Sequence, residues 1–314
     1  MLKIQFLNNN SNLLKKHKYI FLVLVSILTS SLYSETNLIV LGSGTPNPDP
    51  ERYGSAYAVV VNDKAYIVDF GPGLVRRISA MSPAWGGKYP QLSLQKINHA
   101  FLTHIHSDHS GGLADLILTP WVMGRDTPLQ LFGPAGLSSM ASNITKAYEL
   151  DINYRLNGSQ PANRLGYKTI TKEINEGSIY KDDNVEVIAF ANNHGDLINS
   201  FGYLFVTEDK RILFSGDTAI SDSLKELATN IDILVHEVFS SEGFKSKTND
   251  WKIYHDAHHT SSIDLGILAS KIKPKKLVLS HILFWGASDV SVIKDVKLNF
   301  DGEVILAEDL MEIH

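Results

Sequence analysis

The sequence predicts an α+β fold in which β-sheets are covered by helices, and three observations support this prediction. Short β-rich runs alternate with turn residues and helical stretches from Asn37 onward. The same alternation occurs in both halves, without a short repeat period. No segment rich in Pro, Gly or Ser divides this part of the chain. The whole chain has 314 residues, 44% of them hydrophobic. We therefore expect one domain over residues 35–314, large enough for a substantial core.

The predicted elements are apolar runs bounded by turn residues. In the first half we expect strands at 37–42, 56–61 and 65–70, a helix from DFGPG (69–73) through Met81, a strand at 97–104 and a helix just after the histidines at 104–109. In the second half we expect strands at 185–190, 202–207, 211–217, 231–237 and 276–282, with helices at about 221–228 and 262–272.

The first 34 residues are predicted to be an export signal. A basic KKHK run is followed by an apolar run from Tyr19 to about Leu28 and then by small residues, the order typical of a secretory signal. The apolar run is shorter than the ~20 residues of a membrane-spanning helix. We expect cleavage after Ser31 or Ser34, a periplasmic or secreted product and no stable membrane insertion afterwards. An uncleaved membrane anchor is the alternative.

Composition restricts both the partners and the chemistry. The predicted signal contains four lysines and no acidic residue, so its removal changes the formal net charge from −5 to −9. Nucleic-acid binding depends on Lys and Arg contacts to phosphates, so a mature domain this acidic disfavours nucleic acid as a partner. The chain has no cysteine, so any metal must be held by nitrogen and oxygen ligands.

Polar residues repeatedly follow apolar, strand-like runs. Burying a lone His or Asp there costs several kcal/mol unless the group is paired or coordinated. Strand ends at one edge of packed sheets can bring distant residues into one cleft, so a shared metal centre is the simplest explanation. The residues at these positions are His104, His194, Asp217, His236 and His281.

The densest cluster is FLTHIHSDHSGG at 101–112. His104 and His106, two apart in extended chain, point the same way, as two ligands of one ion would. Asp108 and His109 follow in the turn and can reach a second ion. Imidazole and carboxylate ligands without sulfur suit Zn²⁺, with Mn²⁺ or Fe²⁺ as alternatives. A histidine cluster on a solvated turn is the competing interpretation.

Together these residues resemble the metallo-β-lactamase superfamily. The match comprises THIHSDH (103–109), His194, Asp217 in FSGD and His281 in LSH, and it covers nearly the whole chain after the signal. The resemblance implies a four-layer αββα sandwich, with two sheets between helices and two metal ions at one edge.

The resemblance also implies a role for each matched residue. His104, His106 and His194 would hold the first metal, Asp108, His109 and His281 the second, and Asp217 would bridge them, with Asp69 as a structural aspartate. Asp108 would also orient or deprotonate the attacking water. His259 would donate a proton to the leaving group, and adjacent His258 is the alternative donor. Glu237 would orient His259. His236 is either a supporting residue or an ordinary buried histidine, and His99, His255 and His314 are expected to be ordinary surface or strand residues.

Within the superfamily the chain departs from true β-lactamases, which use a cysteine in the second metal site. It resembles instead the branch of ribonuclease Z and the metal-dependent arylsulfatases. The motifs are LGSGTPNPDPER (41–52), GRDTPLQLFGPAG (124–136), LVHEV (234–238), HTSSIDLG (259–266) and AEDLM (307–311). In this branch, tRNA-processing members carry a long arm between the third histidine and the bridging aspartate. Here His194 and Asp217 are only 23 positions apart.

The first expectation is therefore an exported dinuclear zinc hydrolase of small sulfate esters, similar to an arylsulfatase. The alternative is a phosphodiesterase of the same branch, acting on tRNA precursors, cyclic nucleotides or other small diesters. A metal-binding module without turnover is the non-enzyme alternative, and a homo-oligomer is left open. The metal site cannot distinguish a sulfate monoester from a phosphodiester, so the walls of the substrate pocket would determine which of the two is bound. We expect those walls at 82–90, 117–128 and 240–257, and the candidate aromatic contacts are Trp85, Trp121, Phe239 and Trp251.

Overall fold

In a computed structural model, which describes residues 35–314, two seven-stranded sheets form the inner layers of the molecule. The predicted export signal at 1–34 lies outside the described residues. Residues Thr36–His314 form one compact unit. Within the described part of the chain, no helix has the length and apolar character needed to cross a membrane.

The strands and helices alternate along the chain as follows. The strands are β1 (Thr36–Gly42), β2 (Ala56–Val61), β3 (Lys64–Val68), β4 (His99–Phe101), β5 (Leu129–Gly133), β6 (Thr169–Glu173), β7 (Gly177–Lys181), β8 (Glu186–Ala191), β9 (Phe201–Val206), β10 (Arg211–Phe214), β11 (Ile233–Phe239), β12 (Lys276–Leu283), β13 (Glu303–Leu306) and β14 (Glu312–Ile313). The helices are α1 (Leu74–Met81), α2 (Ser107–Ser110), α3 (Leu113–Val122), α4 (Leu137–Ala147), α5 (Glu149–Asn157), α6 (Asp222–Leu227), α7 (Ser241–Phe244), α8 (Asn249–His258), α9 (Ser262–Ile272) and α10 (Asp289–Lys297).

The two sheets have matching topologies. The first has the strand order β14-β1-β2-β3-β4-β5-β6 and the second β13-β12-β11-β10-β9-β8-β7. In each sheet, an antiparallel set formed by nearby chain segments adjoins a parallel set connected through helices. Parallel neighbours need such crossovers, which places helices on the outer faces.

Strand alternation divides the apolar residues into three layers of core. In β1, Leu38 and Val40 face the second sheet, whereas Ile39 and Leu41 face the helices that cover the first sheet. A third cluster packs the outer face of the second sheet against α6, α9 and α10. The expected four-layer αββα sandwich is therefore confirmed.

Two elements near the histidine cluster differ from the sequence prediction. The strand expected at 97–104 is shorter in the structure, where β4 spans His99–Phe101. The helix expected after the histidines is divided at Gly111 and Gly112 into α2 and α3. A Cβ at Gly112 would lie 2.5 Å from the Gly71 carbonyl oxygen, so the chain passes too close to the 69–73 loop for a larger residue.

Candidate metal centre and substrate cleft

The predicted site residues meet at one edge of the sandwich, where strands of both sheets end. Asp69 follows β3, the 104–109 turn follows β4, and Asp217 follows β10. His194 lies beyond the end of β8. The structure therefore brings together segments that are far apart in sequence, as the strand-end pattern predicts.

His281 reaches this edge through a β-bulge inside β12, rather than from the strand end that the sequence suggested. Glu237 of β11 pairs with Ser280 and Val238 pairs with Ile282, so His281 is the extra residue. Its φ of 47° lies in the left-handed region, where non-glycine residues are uncommon. Its backbone N–H donates to the Ser43 carbonyl at 3.2 Å. The bulge turns the imidazole out of the normal alternation and into the site.

Three histidines form the first candidate metal group. His104 Nε2 lies 3.1 Å from His106 Nδ1, and His194 Nε2 lies 3.3 Å from the same atom. The ligand atoms of the three residues all lie within 4.8 Å of one another. Three ring nitrogens this close repel one another unless a proton or a cation lies between them. They are arranged as ligands of one ion would be.

Asp108, His109 and His281 form the second group, again with ligand atoms within 4.8 Å of one another. Asp217 lies between the two groups. Its Oδ2 is 3.8 Å from His104 Nε2, and its Oδ1 is 3.5 Å from both His109 Nε2 and His281 Nδ1. One carboxylate thus faces ligands of both groups, which is the position that a bridging ligand requires.

Asp69 determines the orientation of one histidine in each group. Its carboxylate can only accept, so the Thr103 hydroxyl donates to it at 3.0 Å and in turn accepts from His104 Nδ1 at 3.0 Å. His109 Nδ1 donates to Asp69 Oδ2 at 2.7 Å. Both imidazoles therefore direct an Nε2 lone pair into the site, a supporting arrangement typical of metal-binding histidines.

Burial keeps the first histidine group neutral and available as ligands. Burial, reinforced by neighbouring His109, lowers the pKa of His104 well below its ordinary value of 6.5. Burial also lowers the pKa of His194 to about 4. His194 Nδ1 donates to the carbonyl of His258 at 2.9 Å, which leaves its Nε2 lone pair for the site.

Around the second group, burial and charge act in opposite directions. Burial disfavours a charged His109, yet the carboxylates of Asp217, Asp108 and Asp69 raise its pKa well above the ordinary value. Burial likewise opposes ionisation of Asp217, but His281 and His109 hold its pKa well below the usual range. Buried carboxylates of this kind require compensating positive charge nearby.

Three buried polar atoms supply a direct test of whether metal ions fit. His109 Nε2, Asp217 Oδ1 and His281 Nδ1 have no hydrogen-bond partner, although both nitrogens lie 3.5 Å from the Asp217 oxygen. Leaving a buried polar atom unpaired costs about 1–3 kcal/mol. A divalent cation would satisfy all three, and nitrogen and oxygen donors suit zinc, manganese or iron. The residues present therefore fit a two-ion centre.

Glu237 and His259 adjoin this centre. His259 Nδ1 lies 3.3 Å from Glu237 Oε2 and 3.9 Å from Asp217 Oδ2. The other Glu237 oxygen accepts the backbone N–H of Thr260 at 2.7 Å and so fixes the chain directly after His259. Burial and nearby Asp217 raise the pKa of Glu237 well above 4.5, and burial lowers that of His259 to about 4.

The remaining histidines occupy different positions. His258 faces away from the cleft, because its Nδ1 donates to the Tyr254 carbonyl at 2.7 Å and its ring packs against Gly195. His236 lies on the face of β11 opposite Glu237, and its Nδ1 donates to the Glu237 carbonyl at 2.6 Å. His255 was expected to be an ordinary surface or strand residue. That expectation is wrong, because it is buried on helix α8 and lines the cleft.

Two cavities flank the candidate centre. The first, which we call the aromatic cavity, has a volume of about 360 Å³, contains His106, Asp217, His259 and His281 in its lining, and is walled by Lys247, Trp251, Tyr254, His255, Leu283 and Trp285. The second, which we call the proline cavity, has a volume of about 560 Å³, is walled by the 45–54 loop and Pro72, and reaches Asp108. Pro46 and Asn47 line both cavities and separate them.

Of the four aromatic residues predicted to line the cleft, only Trp251 does so. Trp121 is buried in the first core, where its Nε1 donates to the Asn163 carbonyl at 2.9 Å. Trp85 is 77% exposed and borders a different surface pocket. Phe239 lies behind the wall, stacked on Phe244. The 82–90 and 117–128 segments therefore do not form the walls of the cleft.

Comparison with known proteins agrees with this geometry. The sequence model of the metallo-beta-lactamase superfamily matches residues 49–281. The chain belongs to the metallo-beta-lactamase superfamily, and it is a metal-dependent hydrolase.

Individual relatives refine that classification. Ribonuclease Z of Mycobacterium bovis (strain BCG / Pasteur 1173P2) is 30% identical over 209 residues, which cover 65% of this chain and 71% of the relative. Human tRNase Z, short form, superimposes with a TM-score of 0.65 at 22% identity, covering 88% of this chain and 98% of that one. The metallo-beta-lactamase fold protein YhfI from Bacillus subtilis gives a TM-score of 0.66 at 17% identity, with the same coverage. The ribonuclease Z relative agrees with the alternative of a phosphodiesterase better than with the first expectation of a sulfatase.

Proposed function

We propose that the protein is a metal-dependent phosphodiesterase acting on small diesters. The observation that carries this proposal is the pair of cavities on either side of the candidate centre, separated by Pro46 and Asn47. A phosphodiester has two organic substituents on its tetrahedral centre, whereas a sulfate monoester has one. Two cavities that both reach the candidate ligands suit two substituents. The ribonuclease Z relative supports the same reaction class.

The proposed centre uses the seven side chains described above. His104, His106 and His194 would hold one ion, Asp108, His109 and His281 the other, and Asp217 both, with zinc as the first choice of metal. When bound, a pair of divalent cations neutralises charge on the transferring group and lowers the pKa of the attacking water.

The chain's own residues would then direct the protons. Asp108 lines the proline cavity. It would accept a proton from the attacking water while the oxygen of that water forms a bond to phosphorus. The bond from phosphorus to the leaving oxygen breaks, and His259 would give that oxygen a proton. His259 lines the aromatic cavity, so the leaving substituent would lie there and the retained substituent in the proline cavity.

The geometry supports His259 over His258 as the proton donor. His259 lines the cavity and lies 3.9 Å from Asp217, whereas the His258 ring stacks on Tyr254 at 4.0 Å and packs against Gly195. Glu237 would act as a positioning residue, because it contacts the His259 ring and also holds the next backbone N–H.

The test is a substrate comparison on purified, metal-loaded protein. Bis-p-nitrophenyl phosphate and p-nitrophenyl sulfate release the same leaving group, so their rates differ through the reacting centre and the second substituent of the diester rather than through the leaving group. We expect kcat/KM to be at least about 100-fold higher for the diester. Faster cleavage of the sulfate would refute the phosphodiesterase proposal and restore the sulfatase expectation.

Processing of tRNA precursors is the second candidate, favoured by the ribonuclease Z relative. The interval between His194 and Asp217 contains a short loop, β9, a turn and β10, so its described residues 195–216 hold no inserted arm. This favours small diesters. Cleavage of a tRNA precursor with a higher kcat/KM than any small diester would establish the second candidate instead.

The export of the protein also belongs among the proposals. It rests on the order of basic, apolar and small residues at 1–34. Fractionation of expressing cells, with mass spectrometry of the mature N-terminus, would test it. A product beginning at Met1 in the cytosolic fraction would refute it.

A further inference from the structure

The wall of the aromatic cavity is a continuous surface of rings. On α8, the Trp251 and His255 rings are nearly parallel, with planes 21° apart and centroids separated by 5.5 Å. The His255 ring lies 4.4 Å from the Trp285 ring, which follows β12. One helix and one loop, distant in sequence, thus supply adjoining rings beside His259, with the Trp285 plane tilted 48° to that of His255.

The Trp285 ring is packed against other aromatic rings behind this wall. Its φ of 49° is in the left-handed region, an uncommon conformation for a bulky residue. Phe239 and Phe244 pack behind it, with ring centroids 5.6 and 6.4 Å away. A Cβ at Gly243 would lie 2.3 Å from the Phe284 carbonyl oxygen, so a glycine is required for this close packing. Strain maintained by packing is characteristic of functional sites.

The aromatic wall is accessible and carries one positive charge. Trp251, which lines the cavity, is 54% exposed. Lys247 Nζ lies 4.3 Å from the centre of the Trp285 ring. It is the one Lys or Arg among the described residues that line the cavity. An open aromatic surface beside a single cation suits a flat ring attached to an anionic group.

We infer that the aromatic cavity selects diesters whose leaving oxygen carries a flat ring, an aryl or nucleoside group, and that Trp285 is a specificity-determining residue. This inference rests on the proposed function, because it assigns the cavity beside His259 to the leaving group. A volume of about 360 Å³ matches one such group rather than an extended chain.

The test measures binding separately from turnover. Phenylphosphonate and methylphosphonate have the same anionic head and an uncleavable P–C bond, and they differ in the substituent on phosphorus, which is an aromatic ring in one and a methyl group in the other. Isothermal titration calorimetry on the metal-loaded protein should show phenylphosphonate binding at least about tenfold tighter. Equal affinities in the wild-type protein would overturn the inference.

Four variants test which residues of the wall produce the tighter binding of phenylphosphonate. Trp285→Leu should bring the two affinities within about threefold of each other, whereas Trp285→Phe should keep most of the difference because it retains a ring. Trp251→Leu alters an exposed helix position and should also reduce the difference, which provides a second test should Trp285→Leu fold poorly. Trp85→Leu is the matched control, since Trp85 borders another pocket, and it should change nothing. An unchanged affinity ratio in both Trp285→Leu and Trp251→Leu would overturn the assignment to this wall.

Turnover distinguishes the two proposals. Methyl p-nitrophenyl phosphate should be hydrolysed by the wild-type protein, and Trp285→Leu should raise its KM about tenfold with little change in kcat. Ring-selective binding without hydrolysis of any diester would support the selectivity of the cavity and refute the phosphodiesterase proposal. Hydrolysis of a diester together with equal affinity for both phosphonates would support the phosphodiesterase proposal and refute the ring selectivity of the cavity.

Discussion

The two ends of the same strands each hold an aspartate in a polar cluster, half-buried at one end and buried at the other, and the two carboxylates are paired differently. At the end away from the candidate centre, Asp182 accepts hydrogen bonds from Lys64 Nζ at 2.8 Å and from the hydroxyls of Tyr66 at 2.7 Å and Tyr180 at 2.9 Å. At the other end, Asp217 Oδ1 has no hydrogen-bond partner, although two imidazole nitrogens lie 3.5 Å from it.

This difference indicates that the Asp182 cluster is structural and that the Asp217 cluster is a binding site. The protein's own donors complete the Asp182 cluster, so it needs no ligand to be stable. In the Asp217 cluster, unpaired imidazole nitrogens face an unpaired carboxylate oxygen, an arrangement that a shared cation would complete. Four substitutions would break or sharpen this comparison.

The largest effect is expected from Asp217→Asn. Loss of the carboxylate between the two groups should lower kcat/KM for bis-p-nitrophenyl phosphate by about 10³-fold, because both ions lose a ligand. Metal content, measured by inductively coupled plasma mass spectrometry, should fall in parallel. Asp182→Asn is the matched control and should retain full metal content. Full activity in Asp217→Asn would contradict the role assigned to this residue.

The next effect concerns proton donation by His259. His259→Ala should slow diesters with poor leaving groups by about 10²–10³-fold, and p-nitrophenyl diesters far less, because p-nitrophenolate leaves without a proton. The measurement is kcat across a series of leaving groups of increasing pKa. His258→Ala, at the adjacent position, should leave the slope of that series unchanged. Equal slowing of all leaving groups by His259→Ala would remove its role as a proton donor.

Asp69→Asn should have an intermediate effect. Replacing the carboxylate that orients His104 and His109 should lower metal affinity about 10–100-fold, the usual effect of losing a group that supports metal ligands. Competition with a metal chelator would measure it. Activity at saturating metal should recover substantially. Unchanged affinity would show that Asp69 does not set the histidine orientation.

The smallest effect is on stability. Asp182→Asn should reduce the free energy of unfolding by about 2 kcal/mol, the scale of hydrogen bonds to a charged group, without affecting activity. Burial opposes its charge, but hydrogen bonds from Lys64 and Tyr66 hold the pKa of Asp182 below its ordinary value.

That lowered pKa gives the stability difference a defined pH dependence. The stabilisation by Asp182 is fully present above the ordinary carboxyl pKa of about 4 and is lost as the pH falls below it. Urea unfolding of wild type and Asp182→Asn should differ by a constant amount from pH 5 to 7, and the two should converge in acid. A difference that grows on acidification would contradict this interpretation.

The sequence predicted the candidate metal groups more fully than the cavities around them. The spacing of His104, His106, Asp108 and His109 is local, so a short turn is enough to bring these residues together. His194 and Asp217 follow apolar strands, and period-two patterns in buried strands are readable from sequence. The resemblance to the superfamily linked these segments in advance.

The cavity walls could not be predicted because they depend on packing between distant elements. Trp121 is part of the first core and Trp285 lines the cleft, although both are tryptophans near predicted elements. Their difference arises from the left-handed backbone at Trp285 and the bulge at His281, and no periodic pattern indicates either feature. The Asp182 cluster was missed because strand β7 is partly exposed and lacks a clear apolar alternation.

The most direct test of the account is an anomalous-scattering map from crystals of the purified protein, with data collected at the absorption edge of the bound metal. We predict two peaks per chain, one against His104, His106 and His194 and the other against Asp108, His109 and His281, with Asp217 touching both. A single peak in an active protein, or peaks away from these side chains, would contradict the proposed two-ion centre.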